Sequence, residues 1–96
     1  MGFDLELVAR ELETKSGTID LVFKSHDGVH VAVEVKHVAD QETVGQISKQ
    51  STGLKDKLGL TAARKVIVAL GTSGSVREAC QEAGVELYLI STVKLA

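Results

Sequence analysis

The chain has no proline and no tryptophan, a single cysteine, and aromatic residues at only 3% of its 96 positions. One cysteine excludes a disulfide framework within the monomer. Cys80 falls on the apolar face of a predicted helix, where a thiol is ordinarily a small core group. With so few aromatics, the core must be assembled from Val, Leu, Ile and Ala, which together with the other hydrophobic residues make up 44% of the chain. There is no apolar run long enough for a membrane span and no signal-peptide pattern, so the reading is a cytoplasmic protein that does not engage a membrane. An excess of positive charge is also missing, the formal net charge being −2. A basic face can still coexist with an acidic total, and Lys49, Lys55, Lys57, Arg64 and Lys65 gather around one helix and its exit. Nine glycines take over the turns that proline would otherwise share. The length suits one small domain over residues 1–96, standing alone or as a module of a longer protein.

The order of elements reads βββαβαβ. Leu5, Leu7 and Ala9 alternate on one side of a first strand, although Leu5, Val8, Ala9 and Leu12 would also fit a helix face. The turn Lys15-Ser16-Gly17, leading straight into TIDLVF, favours the strand and a hairpin. Strands near 18–24 and 29–36 are joined through His26-Asp27-Gly28, whose Asp-Gly step is a strong turn signal. Asp40 is placed to cap a helix over 41–58 that Gly59 ends, with Val44, Ile47, Ser51, Leu54 and Leu58 as its apolar stripe. A short apolar strand, Lys65 to Leu70, has the composition of one buried in a parallel or mixed sheet. It is followed by a Gly/Ser loop, a helix over 76–83 closed by Gly84, and a last strand at 85–90. Ser75 and Glu78 have the spacing of a capping box, which accounts for that loop without ligand chemistry, and the loop lacks the spacing of a P-loop or dinucleotide fingerprint. These elements predict an α/β domain with a central mixed β-sheet flanked by helices.

The chemistry lies in the second and third strands. Side chains alternate along a strand, so Val31, Val33 and Val35 point one way while Ala32, Glu34 and Lys36 point the other. A Glu-x-Lys pair on an exposed strand face is ordinary polar-out alternation with a same-face ion pair. Two features separate this one from that pattern. Small Ala32 shares the face, which implies partial burial, and buried Glu and Lys need partners. Asp20 is the only acid in a run of Ile19, Leu21, Val22 and Phe23, and a lone carboxylate in such a run needs one too. Paired as a hairpin, the strands bring Asp20 beside Glu34. Two carboxylates and an ammonium so placed suit a divalent cation such as Mg²⁺ or Mn²⁺, with the main-chain carbonyl of Val35 as a further ligand and Lys36 to orient or activate water. His26, His30 and His37 read as scattered surface imidazoles, and neither a zinc cluster nor a Ser-His-Asp arrangement is present.

These residues resemble the PD-(D/E)XK, or restriction-endonuclease-like, superfamily, whose signature is an acid at the start of one strand and (Asp/Glu)-x-Lys on the next. Here the signature is Ile19-Asp20 with Glu34-Val35-Lys36, Ile19 standing where the family name has proline. GTIDLVF, VAVEVK and VGQISKQ are similar to the C-terminal nuclease domain of the NucS type. KVIVALGTSGSVREACQEAGVELYLIS resembles the tail of Mrr-like restriction enzymes. The resemblance covers nearly the whole chain, with the Asp, Glu and Lys motif its specific part. It implies a restriction-endonuclease-like core and a metal-dependent DNA endonuclease leaving a 5′-phosphate. It also implies Gln46 on the long helix as a fourth site residue, with Gln50 one turn on able to replace it. Family members commonly add an acid on a helix before the first strand, for which Glu6, Glu11 and Glu13 are the available stand-ins. The expected partner is DNA, whether duplex, branched or single-stranded. A homodimer is expected too, because cutting both strands most simply takes two centres. The alternative is a non-catalytic nucleic-acid-binding or dimerisation module of the same fold.

Overall fold

The structure, a computed structural model, describes residues 5–15, 17–59 and 63–90. Strands β1 (Leu5–Thr14), β2 (Gly17–Ser25) and β3 (His30–Ala39) precede helix α1 (Gln41–Leu58), strand β4 (Arg64–Thr72), helix α2 (Val76–Ala83) and strand β5 (Val85–Leu89). The expected βββαβαβ order is therefore realised, and both helices have the predicted bounds. Ser16, in the predicted first turn, lies outside the described residues. The five strands form one sheet in the order β1-β2-β3-β4-β5. The first two pairings are antiparallel and the last two parallel, so the sheet is mixed. The parallel pairs are those joined through a helix, as parallel neighbours require.

Alternation along β3 divides the core in two. Ala32 belongs with Ile19, Val22, Ile47, Leu54, Ile67, Val76 and Cys80 in a cluster to which both helices contribute, so α1 and α2 cover the same sheet face. Val31 and Val33 join Val66 on the other face, with Leu21, Phe23 and Val68 packed beside them. That second face carries a shallow apolar groove of about 450 Å³ between Phe23, Val33, Val68 and Tyr88. Cys80 is buried and its thiol pushed upward by burial, as suits an inert core group.

Helix α1 starts where Asp40 accepts a hydrogen bond from the amide of Thr43 at 2.9 Å while Thr43 Oγ1 accepts one from the amide of Asp40. This reciprocal box satisfies two donors that a helix start leaves orphaned. Gly59 ends the helix in the left-handed conformation, φ 67°, which glycine adopts without cost. Two expectations fail at the helix ends. Leu58, the last member of the predicted stripe, is 39% exposed. Ser75 does not form the S-V-R-E capping box. At φ −96° and ψ 42° it lacks the extended backbone that aims an N-cap hydroxyl into the first turn, and its Oγ instead accepts a hydrogen bond from Gln41 Nε2 at 2.8 Å.

Candidate active site

β2 and β3 pair from Lys24 opposite His30 down to Leu21 opposite Val33. Below that point the ladder gives way to a side-chain contact, with Asp20 Oδ2 accepting the backbone N–H of Val35 at 3.0 Å. Asp20 is thereby fixed beside the Glu34-Val35-Lys36 segment, as the hairpin reading predicted. Glu34 faces the helices, next to Ala32, and is only 5% exposed. Lys36 Nζ lies 3.8 Å from Glu34 Oε1, on the wetter side of the pair. Burial first, and then the negative charge of Asp20, push the Glu34 carboxyl up to about 6, against the opposing pull of Lys36.

This arrangement can hold a divalent cation. Glu34 Oε2 is buried with no hydrogen-bond partner among the described residues. A buried carboxylate oxygen without a donor is costly unless something else neutralises it. Among the described residues no group of three or more His, Cys, Asp or Glu side chains converges, so the acidic set is Asp20 with Glu34. Two carboxylates suffice for an ion that keeps most of its water. Val35 enters the site through the amide that holds Asp20, while its side chain is exposed on the opposite face.

The two glutamines of α1 are placed differently. Gln46 is exposed and makes no hydrogen bond to Asp20, Glu34 or Lys36 among the described residues. Gln50 is 3% exposed, with Oε1 buried and unpartnered. It packs on Gly17 at the start of β2, where an added Cβ would stand 3.7 Å from its Cγ and Nε2. The predicted basic cluster is largely tied up within the fold. Lys57 donates to the carbonyl of Glu13 at 2.6 Å, Lys65 to that of Ala83, and Arg64 to both carboxylate oxygens of Glu86. His26 and His37 are exposed as expected, but His30 is half-buried with an unpartnered Nδ1.

Sequence reasoning gave Arg10 no role and Glu11 only that of a stand-in acid. Both line a pocket of about 430 Å³ with Asp20, Leu21 and Val35. Counting back through the first hairpin from Thr14 opposite Gly17 puts Glu11 at the level of Asp20, which was the available signal.

An acid on the second strand of a mixed sheet, with Glu-x-Lys beside it on the third, defines a restriction-endonuclease-like nuclease fold. Within that class, the chain belongs to the family described as the endonuclease NucS C-terminal domain, which matches residues 1–94. Its fold is shared with the crystal structure of a repair endonuclease from Pyrococcus abyssi, with 24% identity, a TM-score of 0.79, and coverage of 91% of this chain and 38% of that one. An EndoMS–dsDNA complex is similar at 21% identity and a TM-score of 0.79, covering 95% of this chain and 38% of that one. Pyrococcus furiosus SfsA in complex with Ca²⁺ is more distant, at 16% identity and a TM-score of 0.56 over 88% of this chain and 46% of that one. The chain thus spans less than half the length of each of these proteins. No curated protein sequence matches it.

Proposed function

We propose that the chain is a divalent-metal-dependent DNA endonuclease domain whose centre is Asp20, Glu34 and Lys36. The observation that carries this reading is Glu34, a carboxylate buried against the helix face with one oxygen unpartnered, and with an acid and a lysine as neighbours. Nothing in folding calls for that grouping, since an apolar residue at position 34 would pack the same face without a buried charge. The carboxylates of Asp20 and Glu34 would hold Mg²⁺ or Mn²⁺, together with the carbonyl of Val35. When bound, such an ion supplies Lewis acidity toward a phosphate and a water of lowered pKa. The Val35 amide keeps Asp20 in one orientation. Lys36 orients the attacking water and neutralises charge that builds on the phosphate oxygens.

In the hydrolysis, the water oxygen forms a bond to phosphorus and loses its proton to solvent. The bond from phosphorus to the 3′ oxygen breaks, and that oxygen takes up a proton, leaving a 5′-phosphate and a 3′-hydroxyl. Gln46 is proposed as a support at the mouth of the site, which its exposed position permits. The names of the relatives, a repair endonuclease and an EndoMS–dsDNA complex, support DNA as partner and repair as setting. The Ca²⁺ bound by the SfsA protein supports a cation on this fold. A homodimer acting in the cytoplasm completes the reading, two centres being what cutting both strands takes.

The test is cleavage of labelled plasmid and single-stranded DNA with Mg²⁺ or Mn²⁺ at low salt, by the native chain and by Glu34→Ala and Lys36→Ala. Cleavage by the native chain alone, with all three folded, is the expected result. Equal background in all three would overturn the assignment and leave a binding or dimerisation module.

A further inference from the structure

We propose that Arg10 binds the nucleic-acid backbone at the phosphate next to the one being cut. This inference rests on the nuclease reading. It begins with two irregularities that face each other across β1 and β2. In β1, Ala9 and Leu12 both pack on the core beneath the helices, although they are three positions apart. Strict alternation would put them on opposite faces. The strand accommodates this at Glu11, which has φ 47° and is the one non-glycine residue with positive φ among the described residues. In β2, Ile19 and Val22 likewise both reach that core, three positions apart. The residues between, Arg10 and Glu11 on one strand and Asp20 and Leu21 on the other, are thrown out together and line one pocket with Val35.

A left-handed glutamate in a strand is a sparsely populated state that surrounding structure must hold in place, and such states collect at functional sites. Its consequence here is to set an arginine beside the centre's acid. Arg10 is exposed and makes no hydrogen bond or ion pair among the described residues, while Arg64, Lys57 and Lys65 are all engaged. It is the one basic residue lining that pocket. Arg10 pairs with Leu21, on the side of β2 away from the helices, whereas Lys36 extends from β3 on the helix side. The two cations therefore lie on different faces of the sheet, Lys36 against Glu34 and Arg10 in the pocket that Asp20 also lines. A nucleic-acid strand presents charges in succession, and its phosphates are bound by the planar, forked guanidinium in preference to a point charge.

The experiment is equilibrium binding of a labelled duplex, in Ca²⁺, by fluorescence anisotropy across a salt series, with the native chain, Arg10→Ala, Arg10→Gln and Arg10→Lys. Steady-state cleavage in Mg²⁺ is measured alongside. Removing the charge should weaken binding roughly tenfold, by the same factor for two unrelated sequences, and reduce the slope of log affinity against log salt by about one. The loss should fall on KM more than on kcat, Arg10→Lys should restore the salt slope but only part of the affinity, and the thermal midpoint should stay unchanged. Native affinity and slope in Arg10→Ala and Arg10→Gln, with cleavage intact in the native chain, would overturn the assignment of Arg10 alone. A native chain that neither binds nor cuts DNA would overturn the nuclease reading and this inference with it.

Discussion

Glu34 has opposed demands placed on it. Packing wants it neutral, and the proposed chemistry wants it charged. Its carboxyl is raised from the ordinary 4.5 to about 6, so the folded state binds a proton more tightly than the unfolded chain does. The stability contributed by the protonated form is fully present below about 4.5 and is lost as pH rises through about 6. In metal-free protein this term lowers stability at pH 8 by about 1–2 kcal/mol relative to pH 4, and Glu34→Gln should remove that slope. Urea unfolding of both proteins across this range checks it, and an identical pH profile in the variant would refute the coupling. At Glu11 the relevant quantity is backbone strain. Glu11→Gly should be neutral or stabilising by up to about 1 kcal/mol, whereas Glu11→Val, a β-branched residue at positive φ, should destabilise measurably in the same assay. The acid-lysine grouping was legible in the sequence because alternation is local. Arg10 was not, because its place depends on a kink that only the pairing of β1 with β2 creates. The partners of the basic cluster were not legible for a related reason, since Lys57 and Lys65 donate to main-chain carbonyls distant in sequence.

At the scale of elements, the bounds that were legible are those marked by side-chain chemistry. Asp40 and Gly59 delimit α1, Gly84 closes α2, and the Asp-Gly step turns β2 into β3. β3 runs three residues further than its apolar pattern indicated, to Ala39, because β4 continues to pair with it as far as Thr72. That extension leads directly into Asp40 and so sets α1 over Glu34. The two helix starts make a paired prediction. Asp40→Ala deletes a formed capping box and should lower the thermal midpoint by several degrees, while Ser75→Ala deletes a hydroxyl that caps nothing and should leave it nearly unchanged. Similar losses at both positions would show that Ser75 caps α2 after all.

For the whole molecule, the sheet divides labour between its faces. The helix-covered face holds the main core and Glu34, and the other keeps its apolar groove. Ile47 is fully buried in α1 in the same core cluster as Ala32, the next residue along that face of β3 from Glu34. Ile47→Ala should cost about 2–5 kcal/mol, as a cavity in a close-packed core does, and thermal or urea unfolding would measure it. The fold class was legible from the order of the elements, since strands joined by helices imply parallel neighbours and the leading hairpins imply antiparallel ones. That both helices lie on one face was not, because apolar alternation reports that a face is apolar without saying what covers it.

The central claim is that Asp20 and Glu34 form a cation site. Calorimetric titration of Mn²⁺ into the native chain and into Glu34→Gln at pH 7.5 tests it most directly. The account predicts one site in the native chain, weakened as pH falls below about 6, and no binding heat in the folded variant. Undiminished Mn²⁺ binding by Glu34→Gln, or none by the native chain, would contradict it.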